Sequence, residues 1–258
     1  MATGKPWIRD DLLVAMHLYC QMPFGQFHSR NPVIITMAER MGRTASSLAM
    51  KLCNLASLDP AHQRRGVSGL KGASRLDRDV WSAFQADWPD MADASADAIT
   101  RLAPALLKEP EVAYDRPTET TATVRVRRGQ DFFRATVLTA YGRRCCLTGC
   151  DVEGLLVASH IVPWAEQGHE AHRLNPRNGL CLAALQDRAF DQGYIGLDDG
   201  LRVIVSAQLR RHAGNPAVKT SLLALESTLK KGHPAMGSVQ PAGARSPEAM
   251  HSRICPAA

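Results

Sequence analysis

The stretch from Arg144 to Asp191 constrains this chain more than any other. A Cys-rich lead-in, with Cys145, Cys146 and Cys150, precedes an apolar run from Leu155 to Ser159 that ends on His160. Ile161, Val162 and Pro163 follow, and a polar loop from Ala165 to Arg177 leads to Asn178-Gly179. A second apolar run, Leu180 to Leu185, passes into Gln186-Asp187-Arg188-Ala189-Phe190-Asp191. The first run continues into β-branched residues and is bounded by Gly154 and Pro163, which predicts a strand. Good helix formers from Ala183 to Gln192, with Gly193 as a stop, predict a helix. Asp187 and Asp191 are four apart and share one face of that helix. A strand–loop–strand–helix unit therefore carries an imidazole at a strand end towards two carboxylates on a helix. Hard divalent cations take oxygen ligands. A metal-bound phosphate beside an imidazole is a workable site for phosphodiester hydrolysis, with the His deprotonating water and the cation stabilising the developing charge.

The segments ASHIVPW, NPRNGLCL and DRAFDQG resemble the HNH nucleases, the ββα-metal fold, and among them the subgroup in which Asp commonly replaces the last His. The offsets agree: Asn178 follows His160 by 18 residues, Asp187 follows Asn178 by nine, and Asp191 follows Asp187 by four. The resemblance spans roughly Val124 to Ser206. It implies that His160 is the general base and that Asn178 braces the loop carrying it. It also implies that Asp187 and Asp191 hold Mg²⁺, or Mn²⁺ or another divalent cation. Many members place a ligating Asp just before the catalytic His; this chain has Ser159 there, which stands as a third candidate ligand. The implied substrate is double-stranded DNA, and the implied setting is restriction or phage defence. Because many HNH enzymes pair to cut both strands, a homodimer is compatible with the resemblance.

The rest of the composition frames this unit. With 258 residues there is room for two modest domains. A net charge of +6 permits binding to a polyanion. No run of eighteen apolar residues occurs and the N-terminus has no hydrophobic signal region, so no membrane association and a cytoplasmic location are expected. Seven cysteines in such a chain read as free thiols. Some HNH proteins hold a structural zinc with two CxxC pairs. This chain has no CxxC, which argues against structural zinc.

Ahead of the nuclease-like unit, residues 1–88 read as a helical domain, giving an α+β chain overall. Helical spacing is expected over 7–22, Val33–Met41, Ser46–Leu58 and Asp77–Trp88, with Gly42-Arg43-Thr44 as a tight turn. The phrase MAERMGRTASSLAMKLCNL resembles the second and third helices of Myb-like DNA-binding domains. In those the helix after the turn enters the major groove, so the resemblance points to Arg43, Thr44, Ser46, Ser47, Lys51 and Asn54 as DNA contacts. Arg64, Arg65 and Lys71 lie in a Gly-containing loop suited to phosphates.

Residues 89–120 read as a linker, with helix possible over Ser95–Leu107 and Ser95 as its cap; residues 121–258 read as the nuclease domain with a partly ordered tail. Val124 to Arg128 alternates, so a strand with Arg125 and Arg127 on one face is expected. Gln130 to Tyr141 reads as a helix packing Phe132, Phe133, Val137 and Tyr141 on the core. Arg125, Arg127, Arg128, Arg134, Arg143 and Arg144 form a basic run suited to phosphates. A hairpin is expected over YIGLDDGLRVIVS, helix over 216–231, and a last helix starting at Ser246-Pro247-Glu248. Three functions compete: a metal-dependent DNA endonuclease, a DNA-binding regulator whose HNH domain is inactive, which Ser159 favours, and an RNase or general nuclease toxin.

Overall fold

A computed structural model describes residues 5–64, 69–70, 72–102, 121–162, 174–198 and 200–228; for residues 61, 64 and 121–128 it describes the backbone alone. The expected last helix at 246–248, and Arg65 and Lys71, lie outside the described residues.

The N-terminal half is built around α1 (Arg9–Gln21), buried on nearly every side from Leu12 to Met16 and from Leu18 to Cys20. A helix apolar all round belongs at the centre of a bundle: of α2 (Pro32–Arg40), α3 (Ala45–Leu58), α4 (Pro60–Arg64), α5 (Arg75–Ala86) and α6 (Trp88–Leu102), α3, α5 and α6 pack against it, and α2 and α4 pack on α3. Local chemistry sets the boundaries. Asn31 caps α2 ahead of Pro32 at its first position, and Thr44 caps α3 through the Ser47 N–H. Gly42 ends α2 at φ +64°, a conformation that costs glycine little. Ser74 and Asp77 form a reciprocal capping box on α5.

The segment read as a linker from residue 89 begins instead inside α6. Trp88, Met91, Ala92, Ala98 and Ile99 are buried in the same core as α1, a stripe at three- and four-residue spacing. Ser95, expected as a cap, sits within this helix, fully buried.

Arg43 and Lys51, expected at a DNA surface, are turned inward. Arg43 Nη2 pairs with Asp11 at 2.6 Å and also donates to Pro6 O at 2.8 Å, and its Cζ lies 3.9 Å from the Trp7 ring centroid. Lys51 Nζ meets both Asp77 oxygens, at 2.8 and 3.0 Å, and is 4.8 Å from the same ring. Both pairs are shielded from water. Their carboxylates come from 32 and 26 residues away, beyond the reach of any local pattern. Lys51→Ala would leave Asp77 buried without its counter-ion, so a loss of about 3–5 kcal/mol is expected. A lowered denaturant midpoint at unchanged slope would show it. The double variant Lys51→Met with Asp77→Leu should recover most of that loss, because it leaves no orphaned charge.

His17 makes the helical core sensitive to pH. Its Nδ1 lies 3.2 Å from Ser95 Oγ and its Nε2 2.9 Å from Gln21 Nε2. Ser95 donates its own proton to Ala92 O at 2.8 Å, so Oγ accepts from Nδ1–H and Nε2 accepts from the Gln21 amide. The ring is thus held neutral, and burial lowers its pKa from 6.5 to about 4. Between those values the unfolded chain binds a proton that the folded one refuses, so this stability is present above pH 6.5 and lost as pH falls towards 4. The loss amounts to at most about 3 kcal/mol. Denaturant titrations at pH 7 and 4.5 on wild type and His17→Gln should differ by a pH-dependent amount of that order, with the variant the flatter of the two.

The C-terminal half packs on α7 (Thr121–Ala140), which is continuous through Val124–Arg128 where a strand was expected. Five alternating residues are too few to separate strand from helix, and Arg is a good helix former. Positions 125 and 127 therefore do not share a face. Phe132 of α7 belongs to the first core and Phe133 to the second. With Phe132 5.2 Å from His17 and Thr139 Oγ1 donating to Gln21 O at 3.1 Å, this helix joins the two halves, and Arg177, outside it, adds a second link by donating to Gln85 at 2.6 Å.

Beyond it, β1 (Leu156–His160) pairs antiparallel with β2 (Gly179–Ala183), and α8 (Ala184–Asp191) follows β2 without a loop. The expected hairpin forms as β3 (Ile195–Leu197) and β4 (Val203–Val205). A short α9 (Ala207–Arg210) follows, and where one helix was expected over 216–231 the described residues form α10 (Pro216–Ser221) and a 3₁₀ turn at Leu223–Leu225. No helix among the described residues is long and apolar enough to cross a membrane.

Candidate active site

The β1–β2 register places His160 opposite Gly179 at the last rung of the ladder. Beyond that rung the strands part, and Asn178 holds them. Its backbone carbonyl accepts from Ile161 N–H at 2.8 Å. Its side chain accepts from Val162 N–H at 2.7 Å and donates to Val162 O at 3.1 Å. One buried amide thus satisfies both backbone groups of the residue two beyond His160, as a brace must. Asn175 caps the 3₁₀ turn Pro176–Asn178 that delivers this side chain. Most of the polar loop expected between His160 and Asn178, residues 163–173, lies outside the described residues.

Asp187 lies in the first turn of α8 and is half-buried. Burial raises its pKa above the usual carboxylate value, and the nearby Ser159 hydroxyl, Arg188 and His160 draw it back down. So Ser159, Asp187 and His160 are neighbours across the strand–helix junction. The Ser159 hydroxyl is 3% exposed and close enough to influence Asp187, yet it completes no hydrogen bond of good geometry among the described residues. Asp191 is exposed one turn along the same helix. Among the described residues no three His, Cys, Asp or Glu side chains converge as a metal cage.

The imidazole of His160 lies flat on Phe133, with ring centroids 4.2 Å apart and planes within 6°. Gly179 makes room for this. A Cβ there would fall 2.3 Å from Val137 Cγ2, 3.0 Å from Pro176 O and 3.1 Å from Phe133 Cζ. Phe133 reads as an ordinary core aromatic in the sequence, and Gly179 as the second half of an Asn-Gly pair; their joint position against His160 depends on α7 crossing the strand pair.

The basic residues diverge. Arg134 donates to Leu156 O at 2.7 Å and is thereby committed to the start of β1. Arg143 pairs with Glu153, and Arg144 with Asp151 at 2.7 Å, all well exposed. Arg125, Arg127 and Arg128 lie on α7, and their side chains are outside the described residues. In the N-terminal half Thr44 and Ser46 are exposed, and Ser47 and Asn54 are half-buried.

Cys145, Cys146 and Cys181 are buried cysteines in no disulfide, and Cys150 is half-buried. Their backbones knit the lead-in loop to β2: Cys145 N–H donates to Cys150 O and Cys146 N–H to Cys181 O, both at 2.8 Å. Burial pushes the Cys181 thiol up to about 12.

Residues 145–198 match the family model described as HNH endonuclease. The matched segment runs from the Cys-rich loop through β1, β2 and α8 to the end of β3. No curated protein matches the chain. The chain thus carries an HNH endonuclease domain at these residues, which supports a nuclease acting on DNA.

Proposed function

We propose that the protein is a metal-dependent DNA endonuclease in which His160 takes the proton from the attacking water. The observation that carries this reading is the Asn178 side chain, bonded at both Val162 backbone groups, with Asp187 beside the same strand end. The donor set suits a hard cation that keeps much of its water. Mg²⁺ is usually held by one or two carboxylates with waters and substrate phosphates completing its shell, so a three-residue cage is not required. Asp187 and Asp191 are the ligands this reading assigns, and the buried Ser159 hydroxyl joins them directly or through water. When bound, the cation supplies charge that stabilises the phosphate as it is attacked. A half-buried carboxylate that burial disfavours, next to a buried hydroxyl that completes no hydrogen bond of good geometry among the described residues, is a pair that gains from such a partner.

The N-terminal helices are assigned a targeting role on duplex DNA, with α2 and α3 as a helix-turn-helix and Thr44, Ser46, Ser47 and Asn54 as contacts. Arg43 and Lys51 drop out of that surface because their charges are neutralised inside the bundle. Arg144, and Arg125, Arg127 and Arg128 on α7, remain assigned to DNA phosphates. A defence role and pairing of two copies for double-strand cleavage belong to the same proposal.

One observation favours a second reading. Ser159 stands where many of the family carry a carboxylate, and among the described residues no three ligating side chains converge, as in an inactive regulatory domain. Supercoiled plasmid incubated with the full chain in Mg²⁺ or Mn²⁺, and in excess chelator, separates the two. Nicking or linearisation that needs the cation supports the enzyme; binding without cleavage under every condition supports the regulator. Parallel digestion of RNA distinguishes a general nuclease.

A further inference from the structure

We propose that Phe133 is a positioning residue for the reaction: its ring fixes the plane in which the His160 imidazole presents its nitrogens. The inference rests on the reading of His160 as the base. A histidine ring turns about a soft terminal torsion whose wells are broad and roughly two-fold. A base must nevertheless keep one nitrogen within hydrogen-bond reach of the water it deprotonates. The two Asn178 side-chain bonds at Val162 fix the backbone beyond the ring. Phe133 acts on the ring itself. It is 2% exposed, anchored in the second core, and parallel to the imidazole to within 6° at 4.2 Å. Rotation of the imidazole out of this plane would drive an edge into a ring that has no room to retreat.

The surroundings support the assignment. Cross-strand partners in an antiparallel pair project to the same side of the sheet, so a side chain at 179 would compete with Phe133 for the space beside His160. Gly179 leaves that space open, and Val137, Pro176 and Phe133 fill it. The next residue, Arg134, donates to Leu156 O at 2.7 Å. Helix α7 therefore grips β1 at both ends, by its first backbone carbonyl and by its last side chain.

The test uses the full chain, supercoiled plasmid with Mg²⁺, and the variants Phe133→Leu and Phe133→Tyr. Misplacement of a catalytic group by about an ångström costs up to about 10²-fold. Phe133→Leu should therefore lower kcat by about 10- to 10²-fold with KM for plasmid near wild type, and Phe133→Tyr, which keeps the ring, should restore most of it. In histidine-labelled NMR spectra the wild-type His160 ring protons should carry the upfield shift of a stacked neighbour. That shift should vanish in Phe133→Leu and return in Phe133→Tyr. A kcat unchanged in Phe133→Leu overturns the proposal, as does a loss of activity with the His160 shift retained. Should Phe133→Leu fail to fold, Phe133→Met replaces it, and absence of the shift in wild type overturns the proposal without any variant. If the shifts behave as expected but His160→Ala cleaves at wild-type rate, the stack stands and the reading of His160 as base has failed.

Discussion

His160→Ala is expected to lower plasmid cleavage by about 10²–10⁴-fold, the range for losing a general base, while DNA affinity and divalent-cation binding stay near wild type. The division follows from the geometry. The Asn178 side chain bonds both backbone groups of Val162, so the strand end keeps that brace when the ring is removed. The carboxylates on α8 stay in place, although Asp187 loses the influence of the imidazole on its pKa. The variant opens a gap against Phe133, so some stability is lost, and the kinetic comparison belongs well below the melting transition. Cleavage at wild-type rate would remove His160 from the base role. Loss of cation affinity alongside cleavage would make it a ligand, with the water activated by the metal alone.

The ββα unit was legible because its constraints are local. A β-branched run bounded by Gly154 and Pro163, and helix formers ending at Gly193, are patterns that a few consecutive residues satisfy by themselves. Side-chain destinations over long separations were not legible. Arg43 and Lys51 sit where a DNA-reading helix would want cations, and only the folded bundle brings Asp11 and Asp77 to neutralise them. The stripe on α6 was present in the sequence, but an Ala- and Asp-rich composition reads as linker until a core is there to receive Trp88 and Ile99. The strand expected at Val124–Arg128 failed for the opposite reason, a pattern too short to carry the assignment. At the site itself, residue types and spacing marked His160, Asn178 and Asp187. Nothing in them marked Phe133, whose relation to His160 is made by the angle of one helix across two strands.

Asp187→Asn should abolish cation-dependent cleavage and, unlike the His160 variant, abolish cation binding with it. Its second consequence runs against the usual direction of an active-site mutation. Burial raises the Asp187 pKa above the ordinary carboxylate value, so in the absence of metal the folded chain holds that proton more tightly than the unfolded chain does. Stability from this group is therefore full below the unfolded pKa and lost as pH rises through the folded one, leaving a net penalty at neutral pH. The neutral amide escapes that penalty, so Asp187→Asn in chelator at pH 7 should melt no lower than wild type. Added Mg²⁺ or Mn²⁺ reverses the order. A cation that binds only the folded state stabilises by RT ln(1 + [L]/Kd), about 2.7 kcal/mol at a hundredfold excess over Kd. Wild type should gain melting temperature with rising cation concentration, and Asp187→Asn should stay flat. Melting curves with and without cation therefore read the ligand assignment independently of catalysis. Equal cation-dependent shifts in the two proteins would move the metal away from Asp187, and a chelator melting point well below wild type would mean that the carboxylate holds the fold rather than waiting for a counter-charge.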